Sequence, residues 1–242
     1  MSPSRVVVVI PALDEEDAIG LVVREIPPVA SEVIVVDNGS HDRTADAARA
    51  AGARVVAEPR RGYGQACLTG IAAAPDADVI AFLDGDHSDY PVQLMDVLGP
   101  ILAGEADLVI GSRQLGRREP GAHPVHAVLG TRACVGLMNL LIGTRATDLG
   151  PFRAITKSAL ERLGMQDRDF GWTVEMQVKA KHLGLRVCEV PVDYRPRLGR
   201  SKVSGTVSGT IRAGAKILGT ILRHAWSRGL TPPAPASVPP AA

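Results

Sequence analysis

The sequence predicts an α/β fold in which a mostly parallel central sheet is flanked by helices. Short runs of Val and Ile alternate with segments of helical period from Arg5 to Gly111. Such strand–helix alternation builds a parallel sheet covered on both faces. The run Val79-Ile80-Ala81-Phe82-Leu83 is apolar throughout, as a strand buried on both sides must be. It ends in Asp84-Gly85-Asp86, and open α/β sheets place their ligands at that carboxyl edge.

Residues 5–10 form the first strand, which stops at Pro11 because proline cannot donate to a sheet ladder. Residues 16–26 have helical spacing, with Ile19, Val22, Val23 and Ile26 on one face. The second strand covers 32–36, and Asp37-Asn38-Gly39-Ser40 turns the chain at its end. Asp42 is placed to cap a helix through Ala51, which Gly52 closes. Residues 54–57 are the third strand. The loop Arg60-Arg61-Gly62-Tyr63-Gly64 then opens an Ala-rich helix reaching Ala74. After the fourth strand, Pro91 suits the first position of a helix to Ala103, and 107–111 is the fifth strand.

The second half changes character. Residues 117–124 read as a loop rich in charge, Pro and Gly, and 125–142 as a helix. A short strand at 152–155, a helix through Leu163, a helix at 173–183 and a strand at 186–190 follow. Residues 194–209 are a basic, glycine-punctuated loop. Ile211, Leu218, Ile221, Leu222 and Trp226 share one side of a last helix. Residues 1–228 read as one domain, and 229–242 as a disordered Pro/Ala tail.

With 242 residues the chain can bury one substantial core. A net charge of +1 and 3% aromatic residues give neither a field nor a stacking platform for nucleic acid. The charge is unevenly spread: residues 1–100 hold 16 of the 26 acids. From Arg195 onward there are eight Arg or Lys and no acid, an end suited to anions. Cys67, Cys134 and Cys188 occur singly, which excludes a zinc motif and fits a reducing, cytoplasmic setting. The chain starts directly into a strand with no signal peptide, and no long uncharged apolar run spans a membrane. The acid-free last helix and helix 125–142 suit peripheral contact with the inner face of a membrane. Packing on the sheet or a homo-dimer contact is the alternative use of those faces.

Asp84 and Asp86 read either as turn acids after a strand or as ligands of Mg²⁺ or Mn²⁺, hard cations that take oxygen donors. Asp37 is either an Asx-turn acid or a partner for a ribose hydroxyl. Gly62 lies in a loop that either cradles a nucleotide with bare N–H groups or simply needs positive φ. Arg195, Arg197, Arg200 and Lys202 form a phosphate-binding patch or a solvated charge run. Asp89 reads as a helix cap before Pro91, with a role in orienting the acceptor as the second reading. Glu175 sits where an acid favours a helix start.

Taken in order, several short pieces resemble family-two glycosyltransferases with the GT-A nucleotide-sugar-binding fold. They are Val9-Ile10-Pro11-Ala12-Leu13-Asp14-Glu15-Glu16, Val35-Val36-Asp37-Asn38-Gly39-Ser40, Arg61-Gly62-Tyr63-Gly64-Gln65-Ala66, Leu83-Asp84-Gly85-Asp86, Gly111-Ser112-Arg113 and Asp148-Leu149-Gly150-Pro151-Phe152-Arg153. The dolichyl- or polyprenyl-phosphate sugar synthase branch is the nearest in pattern. The resemblance implies that Pro11, Ala12, Glu15 and Asp37 line the nucleoside pocket. It implies that Asp84 and Asp86 hold the metal, and that Asp148 and Arg153 border the sugar and phosphates. It places Glu175 on the acceptor side, and the basic loop over the phosphates. The expected reaction is inverting transfer of a hexose from UDP-glucose or GDP-mannose to a polyprenyl phosphate, with a soluble hydroxyl acceptor as the alternative. A non-catalytic sugar-nucleotide-binding protein is the remaining class. One departure stands out: His87-Ser88-Asp89-Tyr90-Pro91 replaces the Gln-His-Pro-Pro of many lipid-phosphate synthases.

Overall fold

A computed structural model describes residues 4–122, 125–199 and 207–226. Its strands are β1 (Val6–Ala12), β2 (Glu32–Asp37), β3 (Arg54–Ala57), β4 (Val79–Phe82), β5 (Leu108–Ser112), β6 (Arg153–Thr156) and β7 (Val187–Pro191). The helices are α1 (Ile19–Glu25), α2 (Thr44–Ala50), α3 (Tyr63–Ala72), α4 (Leu94–Leu102), α5 (Val125–Ile142), α6 (Lys157–Leu163), α7 (Trp172–His182) and α8 (Val207–Trp226).

The strands form one sheet in the order β3-β2-β1-β4-β6-β5-β7. All neighbours run parallel except β6, which is antiparallel to both β4 and β5. The expected parallel sheet is therefore mixed by one strand. The register sets the site: Ala12 lies beside Asp37, and Phe82 lies beside both Val9 and Arg153. The carboxyl ends of β1, β2 and β4 thus meet the start of β6 on one edge.

Val6 to Ile10 are all buried because successive side chains enter different layers. Val6, Val8 and Ile10 pack with α1 and α4, whereas Val7 and Val9 pack with α3, α6 and α7. A third cluster joins Cys134, Val135 and Met138 of α5, Val174 and Val178 of α7, and Ile221 of α8. This corrects the expectation of membrane contact: the apolar faces of α5 and α8 meet each other and α7, while Leu218 and Leu222 stay outside on the flank. No helix among the described residues is long and apolar enough to cross a membrane. Arg200, Lys202 and the tail at 229–242 lie outside the described residues.

Boundaries moved where side chains compete with the helix. α1 starts at Ile19 rather than residue 16 because Glu15 and Glu16 belong to a loop pinned on the α2 side. The Glu15 N–H donates to Thr44 Oγ1 at 2.7 Å, and the Glu16 N–H to Asp42 Oδ2 at 3.2 Å. Asp42 also accepts the Thr44 N–H at 2.9 Å, but it is not the expected cap: Arg43 occupies the N-cap position of α2 and makes no side-chain capping bond.

Helix α3 lies on β1 through Gly70, where an added Cβ would fall 2.3 Å from Val9 Cγ1. Gly70→Ala is expected to cost about 1–3 kcal/mol by overpacking. Gly136→Ala in α5, where a Cβ meets nothing within 4 Å, is expected to gain up to about 1 kcal/mol. Urea unfolding of the two variants measures both.

Candidate active site

A cavity of about 410 Å³ opens at the carboxyl edge of β1, β2 and β4. The end of β1 and the loop after it supply Pro11, Ala12, Leu13 and Glu15, and the turn after β2 supplies Asn38. The start of α3 adds Arg61, Gly62, Tyr63 and Ala66. Asp84, Gly85 and Asp86 form the floor, with Asp169, Phe170 and Arg197 closing the sides. The expected Pro11, Ala12, Glu15, Gly62, Asp84, Asp86 and Arg197 are therefore brought together.

Asp37 is not among them. Its Oδ1 accepts the Ser40 N–H at 2.9 Å, as a turn acid does, and the next residue, Asn38, lines the cavity. The Asn38 amide donates to the carbonyls of Glu58 and Arg60 at 3.0 and 2.7 Å, and its Oδ1 takes the Gly62 N–H at 2.9 Å. That bond corrects the phosphate-cradle reading of Gly62, because its N–H is already spent. Close approach of another loop explains both glycines: a Cβ on Gly62 would lie 2.2 Å from the Arg168 carbonyl, and one on Gly64 2.2 Å from that of Asp167.

Three expected catalytic residues are internal struts. Asp148, fully buried, takes two guanidinium bonds from Arg113 at 2.8 Å and its N–H at 2.9 Å. Burial alone would raise the Asp148 carboxyl, but the charge and hydrogen bonds of Arg113 outweigh it and hold the group below the usual carboxylate range. Arg153, also fully buried, donates to the carbonyls of Gly150 and Thr173. Burial lowers its pKa to about 10, which still leaves a cation at neutral pH. Glu175 pairs with Lys179 at 2.6 Å and accepts the N–H groups of Gln166 and Asp167 at 3.0 and 2.7 Å. It thereby secures the loop that brings Asp169 and Phe170 to the cavity.

Arg195 is likewise engaged, donating to the His87 carbonyl and to Glu25, each at 2.7 Å, while lying over the Tyr90 ring. Arg197 alone among the described loop cations enters the cavity. Its Nη2 lies 2.6 Å from Glu15 Oε1 and its Nη1 3.3 Å from Asp86 Oδ2.

Asp89 corrects a further expectation. It does not cap the following helix; it is 1% exposed, and neither carboxylate oxygen has a hydrogen-bond partner among the described residues. Burial, with the charges of Asp86 and Asp148 and against the pull of Arg113, raises its pKa to about 7. Asp84 is pushed well above the carboxylate range by loss of solvent first, then by Asp86 and Asp89.

These strand-edge acids fit a divalent cation. They are hard oxygen donors whose mutual repulsion favours a positive charge, and the Arg197 guanidinium already stands beside Asp86 Oδ2. Among the described residues no three His, Cys, Asp or Glu converge as a closed cage. Such a site suits an ion that takes its remaining ligands from a diphosphate and water.

The chain matches Glycosyl transferase family 2 over residues 7–164. It belongs to that family. An uncharacterized glycosyltransferase of Mycobacterium tuberculosis is 39% identical over 215 residues, covering 88% of this chain and 96% of the relative. The undecaprenyl-phosphate mannosyltransferase of Micrococcus luteus is 30% identical over 223 residues, covering 85% and 90%. Glucosyl-3-phosphoglycerate synthase from Mycobacterium tuberculosis, solved with Mn²⁺, UDP-glucose and phosphoglyceric acid, matches with a TM-score of 0.76 and 25% identity over 92% of this chain and 80% of that one. The chain is thus a metal-assisted, nucleotide-sugar-dependent glycosyltransferase of GT-A fold. The narrower polyprenyl-phosphate branch is corrected: the solved structure that matches nine-tenths of the chain holds a small phosphorylated acid as acceptor. In the basic loop, Arg195 and Arg197 are engaged by the carboxylates of Glu25 and Glu15.

Two outcomes are expected from the buried charges. Arg113→Ala strands Asp148 and should cost about 3–5 kcal/mol in chemical denaturation. Asp89→Asn should raise the melting temperature at pH 8 in metal-free buffer, an advantage that shrinks as pH falls below 7 and is gone near pH 4. An acid whose pKa is raised on folding loses stability as pH climbs from its unfolded value, about 4, to its folded value, here about 7, and asparagine removes that penalty.

Proposed function

We propose that this enzyme transfers a glucosyl group from UDP-glucose, with Mn²⁺ or Mg²⁺, to the hydroxyl of a small, soluble, phosphorylated acid. The observation that carries the reading is the match to glucosyl-3-phosphoglycerate synthase in complex with that donor, metal and acceptor across 92% of the chain. The cavity supports it, being of a size that encloses a small ligand and floored by the paired acids.

Pro11, Ala12, Leu13 and Asn38 would hold the nucleoside against the sheet edge, with Asp84 and Asp86 directed at the diphosphate end. Held by these two acids, a divalent cation would supply the positive charge that a departing diphosphate requires. An acceptor hydroxyl has a pKa far above neutrality and must lose its proton as it attacks. Asp148 and Glu175 are committed to Arg113 and Lys179, so neither is available to take it.

The test is a panel of nucleotide sugars incubated with 3-phosphoglycerate or unphosphorylated glycerate, with products read by mass spectrometry. UDP-glucose and 3-phosphoglycerate should yield UDP and a glucosylated phosphoacid, EDTA should stop the reaction, and Asp86→Ala should lose turnover by orders of magnitude while staying folded. Turnover of no soluble phosphorylated acceptor by the metal-loaded protein would overturn the acceptor assignment.

A further inference from the structure

Arg197 holds two carboxylates that the donor site needs. Its guanidinium bridges the cavity from Glu15, in the loop after β1, to Asp86, beyond β4, at 2.6 and 3.3 Å. The next residue fixes the backbone there, because the Leu198 N–H donates to the Asp86 carbonyl at 3.0 Å. The arginine side chain is 24% exposed and the two acids 9% and 13%, so water screens these contacts poorly. One donor is left over: Nε of Arg197 is buried and has no acceptor among the described residues.

We propose that Arg197 is a resident counter-cation at the metal position, so that divalent metal enters together with the nucleotide rather than before it. A metal ion arriving alone must take Asp86 from the guanidinium, leaving Glu15 as its one carboxylate partner and setting two positive charges side by side in a poorly screened site, which is costly. A metal ion arriving with a diphosphate brings new acceptors for the displaced fork. A guanidinium matches phosphate oxygens in bidentate fashion, and the unused Nε–H supplies the second prong. One residue therefore opposes metal alone and favours metal with nucleotide. That coupling makes each ligand raise the affinity for the other.

The inference rests on Asp86 as the metal ligand, and the experiment separates the two. Mn²⁺ binding to the full chain is followed by electron paramagnetic resonance of free Mn²⁺, with and without UDP, and needs no turnover. Arg197→Ala should bind Mn²⁺ alone several-fold more tightly than the parent, yet bind it less tightly than the parent when UDP is present. Arg197→Gln, which keeps the bulk and removes the charge, should behave alike and serves if the alanine variant unfolds. Asp86→Ala should lose Mn²⁺ binding in both conditions. If Asp86→Ala binds Mn²⁺ as the parent does, the metal assignment falls and the counter-cation role with it. If Asp86→Ala loses the ion but neither Arg197 variant binds Mn²⁺ alone more tightly, Arg197 is a structural ion pair and the proposal is wrong.

Discussion

Carboxylates crowd the carboxyl edge of this sheet, and the surrounding structure is largely a response to their repulsion. Glu15, Asp84, Asp86, Asp89 and Asp148 come from three separate stretches of chain, brought together by the pairing of β1, β4 and β6. Each is treated differently. Asp148 has a dedicated arginine, Glu15 and Asp86 share another, and Asp84 and Asp89 have their pKa values pushed upward. A cluster of buried acids left wholly ionised would unfold its surroundings, so counter-cations and shifted proton affinities are two routes to the same end.

The neutralising contacts also build the cavity wall. Arg113 ties the end of β5 to the segment before β6, and Gln177 of α7 supports that segment by donating to the Asp148 carbonyl at 3.0 Å. Glu175, two residues earlier in the same helix, holds the 166–167 backbone, and the carbonyls of Asp167 and Arg168 there press on Gly64 and Gly62. Residues with no access to a ligand thereby decide where Phe170 and Asp169 stand. A family motif such as Asp148 to Arg153 can be indispensable without touching substrate, because position is what it supplies.

Much of the fold was legible in the chain. Continuous Val and Ile runs, glycine stops and Pro91 located the strands and helices to within a few residues, since burial on two faces demands uniformly apolar strands. Pro11 did not end the first strand: β1 runs through it to Ala12, in register with Val36 and Asp37 of β2. The direction of β6 was not legible: four residues, Arg153–Thr156, show the same alternation whichever way they pair. Asp84 and Asp86 after β4 reached the cavity as expected, while Asp37 at the end of β2 and the motif acids within the 148–175 region did not, because residue type cannot distinguish a carboxylate facing a cavity from one held by a turn or a buried cation. Asn38 and Phe170 were missed as cavity residues. Asn38 stood beside an acid that looked the better ligand, and nothing near Phe170 marks it as lining a site.

By itself, the sequence determined the order of the elements, the family and the pair of acids at the end of β4, because these follow from local pattern and immediate chain neighbours. The tertiary structure decided which charges are free to act. Arg113 and Asp148 are 35 residues apart, and Arg197 and Glu15 are 182 apart. Whether a carboxylate serves chemistry or stability depends on the cation it finds across such distances, and only folding makes that choice.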